Sequence, residues 1–248
     1  MSDTAFRKVS AGRGLAWISE GFALFKQSPL LWIGVLVLWV VAAMLLSIIP
    51  FIGSLAVNLC MAMVLAGFLL GAREQSRGGK LSLDVLLSGF KAPLREPLLM
   101  LGVAYVVIAI AVALVTVLMM GLVFGTAVLS GDMQDFNLGI GAIVTGILLL
   151  VLFVAISLAT WFAPGLIVFR GIRLVDALKL SFAAGMANLG ALAVYGIVAI
   201  GLALVAMIPF GLGLVVLAPI MAASTWSCYR DVFGEESQDV AQRESSIQ

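Results

Sequence analysis

The chain has 248 residues, of which 63% are hydrophobic and 11% charged, and its formal net charge is +1. A soluble domain carries about 25% charged residues, so this composition and a mean hydropathy of +1.20 exclude an ordinary soluble fold. The sequence has no histidine, which removes the commonest general base and the commonest transition-metal ligand.

Residues 1–14, MSDTAFRKVSAGRG, form a polar N-terminal segment. They lack the short apolar core and small-residue cleavage site of a signal peptide, so no removable leader is expected. Six apolar stretches follow, spanning about 30–49, 52–72, 98–123, 138–163, 189–208 and 212–227, and none contains Asp, Glu, Lys or Arg. A membrane helix needs about 20 apolar residues to cross about 30 Å of hydrocarbon, and all but the last are that long. The last continues into Cys228 and Tyr229, so residues 15–229 read as one six-helix membrane domain. Residues 230–248 form a polar tail with few hydrophobes, expected to be disordered. Cys60 and Cys228 are too few for a disulfide framework or a cysteine-based metal site and read as small buried or interfacial thiols.

With six spans, all 14 Lys and Arg residues fall on one side, while the opposite loops carry only Asp132 and Asp135. Basic loops stay in the cytoplasm, so both termini are expected there. Trp17, Trp32 and Trp226 lie near the predicted boundaries, where aromatic belts sit.

The first and last pairs of spans are joined by similar letters, SIIPFIG at 47–53 and AMIPFGLG at 206–213. Pro50 and Pro209 read as hairpin corners, because proline ends a helix, with Gly53, Gly211 and Gly213 supplying permissive backbone. The middle connection, GTAVLSGDMQDFNLG, lacks this corner, so its helices are expected to tilt or project beyond the bilayer. The recurrence extends inward. Align Phe22, Phe90 and Phe182: apolar residues stand seven and four positions before each, as Leu15 and Ile18, Leu83 and Leu86, Val175 and Leu178. That stripe predicts a short amphipathic helix at the interface, with the phenylalanines as anchors. Ser28 and Asn188 are N-cap residues six positions later, and Pro29 and Pro97 suit a first helical turn. The expected fold is all-α and integral to the membrane. It has six transmembrane helices in three hairpins, each preceded by an amphipathic interfacial helix, as a pseudo-three-fold repeat.

Function in membranes usually rests on ionisable residues inside the spans, and here there are none. Asn58, Thr116, Thr145, Thr160 and Ser224 remain as a candidate polar path or as packing contacts, with Ser157 and Thr225 among the other polar positions. Gly67 with Gly71 and Gly121 with Gly125 have the four-residue spacing of helix-packing faces. The methionines read as gap-filling thioethers, not copper ligands. An enzyme would need rim carboxylates such as Glu20, Asp84 or Asp176, which show no ligand spacing. No cofactor or metal site and no nucleic-acid partner is expected.

At GFALFKQSPLLWIGVLVLWVV, LLSIIPFIGSLAVNL, AGFLLGARE and GGKLSLDVLLSGFK the sequence resembles an uncharacterised family of six-span proteobacterial inner-membrane proteins. The resemblance implies a bacterial inner-membrane location and carries over no catalytic residue. Paired spans in three units are also similar in architecture to mitochondrial solute carriers, whose charged gate motif is absent.

Two functions are therefore weighed. The first is a non-catalytic protein acting through assembly with itself, a membrane partner or lipid. The second is a permease or channel for a small uncharged, amphipathic or lipid-like solute. The orientation has a direct test. An alkaline-phosphatase fusion at Lys80 is expected to be inactive in intact cells, and activity there would overturn it.

Overall fold

The computed structural model describes residues 5–130 and 136–234. Their helices, in chain order, are α1 Arg13–Gln27, α2 Pro29–Ser47, α3 Ile52–Ser76, α4 Leu83–Leu86, α5 Arg95–Ser130, α6 Phe136–Trp161, α7 Ala163–Arg170, α8 Leu174–Ala187, α9 Leu189–Met207 and α10 Leu212–Phe233. No strand occurs among the described residues. Six helical stretches are long and apolar enough to cross a membrane: Pro29–Ser47, Ile52–Ser76, Arg95–Val123, Gly141–Arg170, Leu189–Met207 and Leu212–Phe233.

The fourth stretch runs further than the expected boundary at 163, because α7 continues beyond a break at Phe162. Ser181 on α8 stabilises the break. Its hydroxyl accepts the Phe162 amide at 3.0 Å and donates to the Leu158 carbonyl at 2.7 Å. Helix α5 has 36 residues, about 54 Å at 1.5 Å per residue, which is far longer than the hydrocarbon is thick. The rest of the middle connection, with Asp132 and Asp135, lies outside the described residues, as do residues 1–4 and 235–248.

The two proline corners share one feature, a positive φ placed on phenylalanine. Phe51 has φ 62° and ψ −53°, and Phe210 has φ 52°. At the first corner the Ile52 amide donates to the Pro50 carbonyl at 2.7 Å, closing a γ-turn of a rare, strained hand. Gly211 also takes a positive φ of 79°. Gly53 and Gly213 are needed for a different reason from the one expected. A Cβ at Gly53 would lie 1.8 Å from the Leu46 carbonyl oxygen, and one at Gly213 would lie 2.7 Å from Ala206 Cα. They let adjoining helices approach, and the backbone freedom is used elsewhere.

Burial is uneven. Half of the most apolar window of α3 and 44% of that of α10 are buried, against none of that of α5. The core gathers at the end of the bundle that carries the arginines. Phe162, Phe169, Trp226, Tyr229 and Phe233 interlock there, with ring centroids 5.0–6.0 Å apart. Elsewhere the spans present large apolar side chains outward, Leu118 and Phe153 among them. Such a surface is stable only in lipid.

Three expectations about the short segments change. Trp17, Trp32 and Trp226 are not in a headgroup belt but are buried, because each indole N–H has a protein partner: Asp231, Gln75 and Ser76 at 2.7–2.9 Å. The second aligned segment holds only the four-residue α4 and a 3-10 turn at Ser88–Phe90, not a full amphipathic helix. Phe22 and Phe182 are exposed and Phe90 is half-buried, while α1 buries Gly14, Trp17, Ile18, Gly21, Leu24 and Phe25 against α9 and α10. Periodicity counted from Phe22 marks the edge of that face. Ser28 and Asn188 make no side-chain cap, although Pro29 does open α2.

Glycine sets the closest approaches. A Cβ at Gly21 would lie 2.6 Å from the Ile220 carbonyl oxygen, and one at Gly67 would lie 1.9 Å from that of Leu86. Gly71 likewise faces Leu81, so this pair packs the loop around α4 and not another span. Gly121 and Gly125 meet nothing within 4 Å among the described residues, so there their spacing joins no helices. Gly67→Val is therefore expected to destabilise by about 1–3 kcal/mol through overpacking. Gly121→Ala, in open space, should cost nothing and gain up to about 1 kcal/mol of helix propensity. Thermal unfolding in mild detergent checks the pair.

Candidate functional site

Between α3, α5, α6, α7 and α10 lies a cavity of about 660 Å³. From α3 it takes Asn58, Leu65, Phe68 and Leu69, positions that span about 16 Å along the helix at 1.5 Å per residue. Helix α5 adds Tyr105, Ile108, Ala109, Val112 and Ala113, and α10 adds Ala222, Thr225 and Tyr229. The break after α6 brings Thr160, Trp161, Phe162, Pro164 and Gly165 to one end. Among the described residues no Asp, Glu, Lys or Arg lines it. Small side chains make the room: Ala109, Ala113, Ala222 and Gly165 stand where bulkier residues would fill it. At Gly165 a Cβ would lie 2.6 Å from the Tyr229 ring.

The structure sorts the polar residues singled out above. Asn58 and Thr160 line the cavity, as does Thr225. Thr116, Thr145 and Ser224 do not. Most of these groups bond to the preceding turn of their own helix: Thr116 to Val112, Thr160 to Ile156, Thr225 to Ala222 and Asn58 to Ser54, at 2.6–2.8 Å. The hydroxyl donors are thereby already used, while the Asn58 amide keeps one N–H. Thr145 is buried, and Ser224 joins two spans through its 2.7 Å hydrogen bond with the Tyr195 hydroxyl. Tyr229 is different. It is 3% exposed, and its buried hydroxyl makes no well-formed hydrogen bond among the described residues, although the Arg170 guanidinium lies beside it.

The arginine-bearing end is tied by charge. The Asp231 carboxylate accepts from Arg13 Nε at 2.5 Å and from Trp17 Nε1 at 2.7 Å. Glu20 bridges Arg13 and Arg230, accepting from each at 2.8 Å. The hydrogen bond to Asp231 pushes the Arg13 guanidinium above its ordinary pKa, against the opposing effect of burial, so it stays charged. Residues 5–9 run across this end as a strap. Buried Asn188 accepts the Val9 amide at 2.8 Å and donates to the Arg7 carbonyl at 3.0 Å, while Arg170 donates to the Ala5 and Phe233 carbonyls. Glu20 is thus engaged by arginine, and Asp84 pairs with Lys91.

Sequence reasoning missed the strap, the Asp231 pair and Tyr229. One signal was present: Trp226, Tyr229 and Phe233 recur at three and four residues, a helical stripe of aromatics.

Fold and cavity define a multi-pass helical membrane protein with a mostly apolar chamber between its spans. The chain is similar to a protein of Burkholderia thailandensis named as a probable inner membrane protein, with 29% identity over 236 residues, covering 90% of this chain and 82% of that one. No family model matches the chain, and no solved structure matches it. The likeness and the six apolar helices together make this a multi-pass protein of the inner membrane.

Asp231→Ala leaves the buried Trp17 indole N–H without its acceptor and should cost about 1–3 kcal/mol in detergent unfolding. Lys91→Ala, which breaks an exposed pair, should leave the melting temperature unchanged.

Proposed function

We propose that the protein works without catalysis, by holding a lipid-like amphiphile in the chamber between α3, α5, α6, α7 and α10. The observation that carries this reading is the chamber's size and lining. About 660 Å³ is within the range of small-molecule sites, and its walls are aliphatic and aromatic with a few hydroxyls and one amide. Asn58, Ala109 and Ala113 among its walls are exposed, so the space opens at the surface of the bundle. Water fills it poorly, because a buried water needs two to four polar partners and these hydroxyls donate to their own helices. An apolar chain drawn from the bilayer is the occupant that fits. Passage of that occupant, as in a permease, is compatible with the same walls.

The surrounding frame is proposed with it: three hairpins related by a pseudo-three-fold repeat, with both termini cytoplasmic. The repeat is supported by the matched corners at Phe51 and Phe210, and the orientation by the placement of the cations. Self-assembly is a second reading, supported by the open faces of Gly121 and Gly125, which a neighbouring helix could approach closely.

One measurement addresses both readings. Native mass spectrometry of the protein released from mild detergent should show a co-purifying lipid-like mass, and its subunit count reports assembly. Ala109→Trp with Ala222→Trp, which fills the chamber, is expected to remove at least nine-tenths of the adduct, by order of magnitude, while leaving the subunit count unchanged. A wild-type protein stripped clean at the first gentle wash would sink the reading.

A further inference from the structure

We infer that the two Ile-Pro-Phe corners end inside the bilayer, with Phe51 and Phe210 seated among acyl chains at the end of the bundle away from the arginines. The α2–α3 and α9–α10 hairpins then never meet the water beyond. Neither the chamber nor its occupant enters into this. Three observations support it.

The first is what the phenylalanines touch. A positive φ is an outlier for a bulky side chain, whereas glycine adopts it freely. Both corners nevertheless put phenylalanine there, at φ 62° and 52°. Phe51 is 90% and Phe210 101% exposed, so packing among the described residues does not offset the strain. Such a residue persists where its surroundings hold it, and these surroundings lie outside the described chain.

The second is the chemistry around them. No polar side chain occurs from 196 to 223, and from 48 to 57 there is only Ser54, whose hydroxyl donates to the Phe51 carbonyl at 2.9 Å. Turns that face water are rich in Asn, Asp and Ser, yet here the neighbours Ile48, Ile49 and Ile208 are exposed. The turns also close on themselves. The Ile52 amide donates to the Pro50 carbonyl, Gly53 to Ile49, Gly211 to Met207 and Leu212 to Pro209, at 2.7–3.1 Å. Backbone in hydrocarbon has to find its partners in this way. Lipid is favoured over a protein partner because neither tip offers the polar rim that orients one.

The third is length. Helices α2 and α9 have 19 residues each, about 28 Å at 1.5 Å per residue. That matches about 30 Å of hydrocarbon and leaves nothing for the headgroups beyond. Helix α5, with 36 residues, has no such limit.

Spin labelling tests the inference. Phe51→Cys and Phe210→Cys, each carrying a nitroxide, are reconstituted as the full chain in phosphatidylcholine vesicles. Oxygen, which dissolves in hydrocarbon, competes as relaxant with a nickel chelate that stays in water and is present on both sides. Oxygen should relax both labels at least about tenfold more effectively than the chelate, and the order should reverse for a label at Lys80→Cys in the exposed loop after α3. The unsubstituted chain, with Cys60 and Cys228, sets the background. Relaxation by the chelate at the Lys80→Cys level would place the corners in water, and weak relaxation by both agents would place them under protein. Either result overturns the inference. Ile48→Cys and Ile208→Cys, beside the corners at ordinary helical φ, give the same reading should the phenylalanine variants misfold.

Discussion

In hydrocarbon an apolar side chain gains little by leaving lipid for another apolar side chain, so these helices need some other reason to assemble. The structure supplies two. Glycine lets backbones approach until dispersion is large, as where Gly102 lies against the Leu59 carbonyl and Gly21 against that of Ile220. Polar groups that would be stranded away from water find partners across helices, and each left unpaired would cost about 1–3 kcal/mol. Trp17, Trp32, Trp226 and Asn188 are such groups, all buried and all bonded to distant parts of the chain. Both devices gather where the arginines are, and so does the buried core. Helix α5, which has neither along most of its length, has none of its most apolar window buried.

How much of this could be read from the sequence follows the same division. Span number and approximate bounds were legible, because length and absence of charge are local properties. The corners were legible as positions, since proline punctuates the chain wherever it stands. That Phe51 and Phe210 carry the positive φ was not, because glycines close by offered the easier backbone. The tryptophans were misread for want of partners. Asp231 is 214 residues from Trp17, and Ser76 is 150 from Trp226, so neither pair leaves a local signature. The phenylalanine stripe failed at α4, where the chain folds against Gly67 instead of forming a full helix. Of the chamber, Asn58 and Thr160 were visible as polar residues in apolar runs. Tyr229 was passed over as the mere end of a span.

The chamber follows from the way α6 is tied. Helix α6 packs on α5 and α8, and its last turn is locked to α8 by the Ser181 hydroxyl and by the fit of Leu158 against Gly185. Helix α10 is held on its other side by α1 and α9, through the Asp231 carboxylate and the Ser224–Tyr195 hydrogen bond. Each helix is therefore committed chiefly to a different neighbour, with Trp161, the last residue of α6, in hydrogen-bond reach of Cys228 on α10. Near the arginines α7 and the aromatic layer fill the gap between them. Further along there is no such filler, and the alanines of α5 and α10 leave the gap wide. Closing it would require α6 to give up α8 or α10 to give up α1, and both seams are secured by buried polar bonds. The space is thus fixed by contacts outside it, which is the arrangement expected of a preformed binding site.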